Sequence, residues 1–159
     1  MAILARHPSH LLALAPRRRW TVRSRPVGRL ASPPALSSRI ERALAGLRRK
    51  GRRAVSIVDT GCGNGRLLLR SVARARALGF VAIDAAGFDP SAANVAAARA
   101  AALMARADPA SGLQFAIRAP GAPLPVEDGD ADIIIAAPAD IGPDLLRIAG
   151  REGAIIRRS

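Results

Sequence analysis

Short apolar runs alternate along the chain with longer stretches in which apolar positions recur every three to four residues. These are the periods of buried strands and of helices packed against them. Residues 37–51, SSRIERALAGLRRKG, set Ile40, Leu44 and Leu47 on one helical face, with Ser37 or Ser38 as cap and Gly51 as stop. The β-branched run AVSIVD, 54–59, predicts a strand; TGCGNG follows as a tight turn, and RLLLRSVARARAL continues from Arg66 as a helix. A second strand is expected within 80–89, FVAIDAAGFD, where Asp84 leaves the extent of pairing open. SAANVAAARAAALMARA, opening at Ser91, predicts the next helix. Residues 113–117 (LQFAI) and 131–137 (ADIIIAA) predict a third and a fourth strand. PDLLRIAG starts a short helix near Pro143, and GAIIRR begins a fifth strand at Gly153. Alternating strands and helices imply right-handed β-α-β units and a parallel sheet.

Composition separates the first 35 residues from the rest. Pro8, Pro16, Pro26, Pro33 and Pro34 interrupt any long helix there and predict an extended or disordered arm, leaving residues 36–159 as one α/β domain. The net charge of +13 is concentrated at the same end: residues 1–53 carry fourteen Arg and Lys against Glu41 alone, and residues 54–159 carry eleven of each sign. Such an excess suggests nucleic acid or an acidic surface as partner. Lys50 is the only lysine, however, and the abundance of Arg and Ala throughout fits a compositional bias; no aromatic interleaving supports base stacking. Nucleic-acid binding through the arm is therefore not favoured. An upstream extension or an organellar presequence fits the same residues, whereas LLALA is too short for a secretory signal and Arg17–Arg19 follow it. His7 and His10, in this arm, are weak catalytic candidates. Trp20, Phe80, Phe88 and Phe115 are the only aromatic residues, so Ala, Leu, Ile and Val must build the core. No apolar window reaches the ~18 residues of a membrane span, and a single cysteine, Cys62, excludes a disulfide framework and a multi-cysteine metal site. A soluble, cytoplasmic protein without a metal or a membrane partner is expected.

The candidate chemistry lies around the first turn. Gly61, Gly63 and Gly65 alternate directly after a buried strand, where a backbone without Cβ atoms can turn sharply and approach a ligand. Asp59 ends that strand, Asp89 ends the second, and in open α/β sheets such positions converge on one crevice outside the strands' carboxyl ends. A dinucleotide fingerprint requires a small third residue where Arg66 or Leu68 stands, and the NTPase loop requires Lys-Ser/Thr where Arg66 and Leu67 stand. Both readings fail. Asp89 can alternatively cap the following helix with Pro90 at its first position, and Asp59 can cap neighbouring amides. Asp132 reads as structural, and Cys62 as a small packed loop residue without a base to activate it.

VSIVDTGCGNG resembles motif I of the class I S-adenosylmethionine-dependent methyltransferases, an apolar strand followed by [DE]-x-G-x-G-x-G. GFDPSAANVAAAR is similar to their second motif, and LPVEDGDADIIIAA to the run leading into their fourth strand. The resemblance spans about residues 36–159. It implies a Rossmann-like three-layer sandwich with a mostly parallel sheet of about five strands, S-adenosylmethionine as cofactor, and in-line methyl transfer to a small-molecule acceptor. By the same resemblance Gly61, Cys62, Gly63 and Gly65 line the methionine end of the cofactor, with Asp59 near its amino group and Asp89 accepting from the ribose hydroxyls. The sequence also departs from the pattern. Pro120 stands where an adenine-contacting acid is common, AAPADIG replaces the [DN]-P-P-[YFW] of enzymes acting on exocyclic nitrogens, and the usual C-terminal antiparallel strand pair is not seen. An exposed fifth strand open to self-association is expected. A non-catalytic or partner-dependent module, and an RNA-associated enzyme using the arginine arm, are the alternatives; no catalytic residue is nominated.

Overall fold

The computed structural model describes residues 34–105 and 111–158. The basic arm, with His7, His10 and Trp20, lies outside the described residues. The element order is α1 (Pro34–Arg49), β1 (Ala54–Asp59), α2 (Arg66–Ala77), β2 (Ala82–Asp89), α3 (Ala92–Met104), β3 (Ser111–Ile117), β4 (Ala131–Ala136), a 3-10 turn (Pro138–Asp140), α4 (Pro143–Ile148) and β5 (Ala149–Arg157).

The five strands form one parallel sheet in the order β3-β2-β1-β4-β5. From β1 the chain steps outward to β2 and β3, then returns to the other side of β1 for β4 and β5. The reversal opens a crevice at the carboxyl ends of β1 and β4. Strand periodicity sorts the core between the two faces. Val55, Ile57, Ile83, Ala85, Ile133 and Ile135 meet Ile40, Leu44 and Leu47 of α1, together with Leu68 and Val72 of α2 and Val95 and Ala98 of α3. Val58, Ala86, Phe88, Ile134 and Ala136 point the other way, against Leu124 and against Leu145 and Ile148 of α4. The architecture is the expected Rossmann-like sandwich, with unequal layers: three helices on one face, one six-residue helix and the 124–126 segment on the other.

Three boundaries differ from expectation for identifiable reasons. Helix α1 starts at Pro34, so Ser37 and Ser38 lie inside it and cap nothing; proline suits a first helical position because its missing N–H has no helical acceptor there. Asp84 does not interrupt β2, which pairs from Ala82 to Asp89. Its neighbours are Ser56 and Gly112, and the Asp84 carboxylate fills the space that a side chain on residue 112 would need. Strand β5 begins at Ala149 directly after α4, and the register jumps from Ala131–Ala149 to Ile133–Ala154. Gly150 and Gly153 permit that bulge, since a Cβ on Gly153 would stand 2.7 Å from the Ala131 carbonyl oxygen. No helix among the described residues is long and apolar enough to cross a membrane.

Candidate functional site

The turn after β1 is tied to the end of β2. Cys62 N–H donates to the Phe88 carbonyl at 2.9 Å, and Gly63 N–H donates to Asp89 Oδ2 at 2.9 Å. Each glycine has a different reason to be there. Gly63 sits at φ +53 with open space around its missing side chain, so backbone conformation selects it. Gly65, the residue before α2, combines φ +73 with close packing: a Cβ there would lie 2.8 Å from Ala98 and 2.9 Å from the Phe115 ring. Gly61 has neither constraint, and the place of its absent side chain is empty. Cys62 is buried against the strands, where burial, and then Asp59 and Asp89, push its thiol up to about 12. Its side chain packs beneath the turn, where Sγ–H donates to the Gly63 carbonyl at 3.6 Å, and its backbone supplies the turn's stronger hydrogen bonds.

Asp89 is both a site carboxylate and a local organiser. Oδ1 accepts Ser91 N–H at 2.9 Å and the Asn94 side-chain amide at 3.0 Å, while Oδ2 accepts Gly63 N–H. Burial alone would raise its pKa; the donors from Ser91, Asn94 and Gly63 outweigh burial and hold it below the ordinary carboxylate value. Asp89 therefore supports the start of α3, but Ser91, whose hydroxyl accepts Asn94 N–H, is the cap, and Pro90 lies before it.

Asp59 has no exposed surface. Both of its oxygens receive Nη2 of Arg158, at 2.6 and 2.7 Å, and Oδ1 also accepts Gly61 N–H at 3.4 Å. Burial raises the Asp59 pKa, and the Arg158 guanidinium opposes that rise. Beside it, Thr60 N–H donates to Ile135 O and Thr60 Oγ1 donates to Asp140 Oδ2, each at 3.0 Å, which fastens the turn to β4 and the 3-10 segment. Asp59, Gly61, Gly63 and Asp89 are thus brought together at the strand-order reversal, with Gly65 packed behind them. Asp132 lies at the opposite end of β4, bonded to Ser56 N–H and paired with Arg52.

Three participants were not evident from the sequence: Arg158, Asn94 and the Thr60–Asp140 pair. Asn94 has a local signal, because an amide five residues after a strand-end acid falls on the first helical turn. Arg158 has none, since its position depends on how β5 registers against β4. Clefts among the described residues also lie elsewhere, including one of about 150 Å³ between α1 and α2 near Ile40 and Arg74, a groove of about 250 Å³ over Ser56, Asp84 and Gln114, and one of about 390 Å³ between Arg42 of α1 and Ile155 of β5.

No family model and no curated protein sequence matches the chain. Solved structures do match its fold. A protein from Methanococcus maripaludis assigned to the S-adenosylmethionine-dependent methyltransferases superposes with a TM-score of 0.52 at 20% identity, over 77% of this chain and 56% of that one. One from Listeria monocytogenes, assigned to the class I enzymes, gives 0.53 at 23% identity, over 67% and 31%. The YcgJ protein of Bacillus subtilis gives 0.51 at 18% identity, over 72% and 48%. The chain thus spans between about a third and just over half of the length of these structures, and it shares the class I methyltransferase fold.

Proposed function

We propose that the chain binds S-adenosylmethionine at the carboxyl ends of β1, β2 and β4 and serves methyl transfer to a small-molecule acceptor. The observation that carries this reading is the link from Gly63 N–H to Asp89, which joins the open glycine turn and an ionised strand-end carboxylate in one crevice. The fit can be tested on the residues themselves. Side-chain space at Gly61 and Gly63 is empty, which leaves the turn's backbone approachable. Oδ1 of Asp89 already holds two donors, and Oδ2 holds one. One lone pair remains on Oδ2, enough to accept from one ribose hydroxyl. The group fits.

When bound, the cofactor supplies a sulfonium methyl group that can pass to a nucleophile by in-line displacement. Such chemistry asks the protein chiefly for positioning and exclusion of water. Here Asp89 would orient the ribose, the turn from Gly61 to Gly63 would set the depth of the amino-acid end, and Thr60–Asp140 would hold that turn against β4. The small-molecule acceptor is supported by the residues after β4, AAPADIG, which lack the aromatic clamp used on exocyclic nitrogens.

Calorimetric titration of S-adenosylmethionine and S-adenosylhomocysteine into the folded chain tests the reading. Saturable binding, weakened at least about tenfold by Asp89→Ala and by Gly63→Val, is the expected result, one lost charge-assisted contact being sufficient for that loss. Absence of heat from a monodisperse, folded sample overturns it.

A further inference from the structure

The deepest carboxylate of the site is out of a ligand's reach. Asp59 is wholly buried, and Arg158 Nη2 lies against both of its oxygens. The Arg158 side chain, by contrast, is 28% exposed. Its Nε is buried without a partner, and among the described residues Nη1 makes no hydrogen bond. Nη2 of the guanidinium is therefore spent on Asp59, Nε is buried, and Nη1 retains its donors. The Arg158 backbone N–H donates to Ala136 O at 2.7 Å, fixing the residue at the end of β4, beside the reversal of strand order. Asp59 Oδ1 is shared between Arg158 and Gly61 N–H. The guanidinium thus borders the turn at the residue whose side-chain space is empty.

We infer that Arg158, seated on Asp59, takes the carboxylate of the cofactor's amino-acid end. This rests on the reading of the site as one for S-adenosylmethionine. An ammonium group approaching this corner meets a guanidinium before it can meet Asp59, and like charges repel. A carboxylate meets Nη1, whose N–H groups are unspent, and gains one charge-assisted contact there. Asp59 is then a positioning residue: it holds the guanidinium in one orientation and touches no ligand. On this assignment Asp59 acts on the cofactor's amino-acid end through Arg158, rather than on its amino group directly or through water.

Three ligands separate the contacts: S-adenosylmethionine, its decarboxylated form, which keeps the sulfonium and ammonium, and 5′-methylthioadenosine, which lacks the amino-acid end. In calorimetry on the full chain, the wild type should prefer S-adenosylmethionine over the decarboxylated form by about 10- to 100-fold, the range of a charge-assisted hydrogen bond. R158Q should reduce that ratio to within about threefold, a residue of ordinary polar contact, with 5′-methylthioadenosine affinity unchanged. R158K should keep part of the ratio, and D59N, which leaves the charge but loosens its seat, should fall between wild type and R158Q. An unchanged ratio in R158Q, or tighter binding of both amino-bearing ligands, overturns the assignment. Equal losses for all three ligands mark a purely structural residue and overturn it too. If R158Q does not fold, R158K against wild type decides the matter by the same ratio. Failure of the wild type to bind any of the three overturns the cofactor reading and this inference with it; binding of all three with a constant ratio overturns this inference alone.

Discussion

Two neighbouring carboxylates show how little the residue type decides. Asp59 and Asp89 end adjacent strands of one sheet, yet burial wins at the first and hydrogen-bond donors win at the second, so their pKa values move in opposite directions. The consequences for stability have opposite signs. Asp89, lowered in the fold, adds stability above its unfolded value of about 3.9, and that contribution is lost as pH falls through the folded value. Asp59, raised in the fold, gives its fullest contribution below the unfolded value and loses it as pH rises through the folded one. Asp89→Asn should therefore be less stable than wild type at pH 7 by about 1–3 kcal/mol, and its stability should fall less steeply toward acid. Urea denaturation between about pH 3 and 7 measures both, and a slope equal to that of wild type removes Asp89 as the titrating group.

Elements whose signals are local were legible in the sequence. The run AVSIVD, the glycine turn and the unbroken helix after it specify strand, turn and helix within twenty-odd residues, and each lies where the pattern placed it. Elements defined by distant partners were not. The start of β5 is set by a bulge against Ala131, and the seat of Arg158 by the pairing that follows it, neither of which local periodicity records. Asp84 read as a doubtful strand residue because its accommodation depends on Gly112, a neighbour twenty-eight positions away. The two ends of the central strands are also separable by experiment. Asp132, holding Ser56 N–H and Arg52 at the amino end of β4, should cost about 1–3 kcal/mol of stability when replaced by Ala. Ligand affinity, read by calorimetry on the same variant, should stay at the wild-type value; a shift comparable to that of Asp89→Ala would connect the two ends.

For the whole molecule, the two faces of the sheet carry unequal cover, and the side with α1, α2 and α3 holds the larger buried cluster. The glycine turn is packed against that side through Ala98 and Phe115. Phe115 of β3 reaches from the sheet to the turn: its ring fills the space where a Cβ of Gly65 would stand, and also that of Gly87, at 2.6 Å from its Cδ1. Its carbonyl oxygen meanwhile accepts Nε and Nη2 of Arg99 from α3. One aromatic ring thereby restricts two positions, alongside Ala98 and a positive φ at Gly65 and Cys62 Cβ, 3.1 Å away, at Gly87. In evolutionary terms these sites cannot drift independently, and the order of substitution matters. Gly87→Ala made first meets the ring; made after Phe115→Ala, it enters the vacated volume and keeps only the tight approach to Cys62 Cβ at 3.1 Å. The double variant should consequently be more stable than the sum of the single losses allows, by a coupling of about 1–3 kcal/mol in a denaturation cycle. Additive losses would mean that the ring can move aside, and substitutions at Gly87 and Phe115 would then be free of any required sequence of steps.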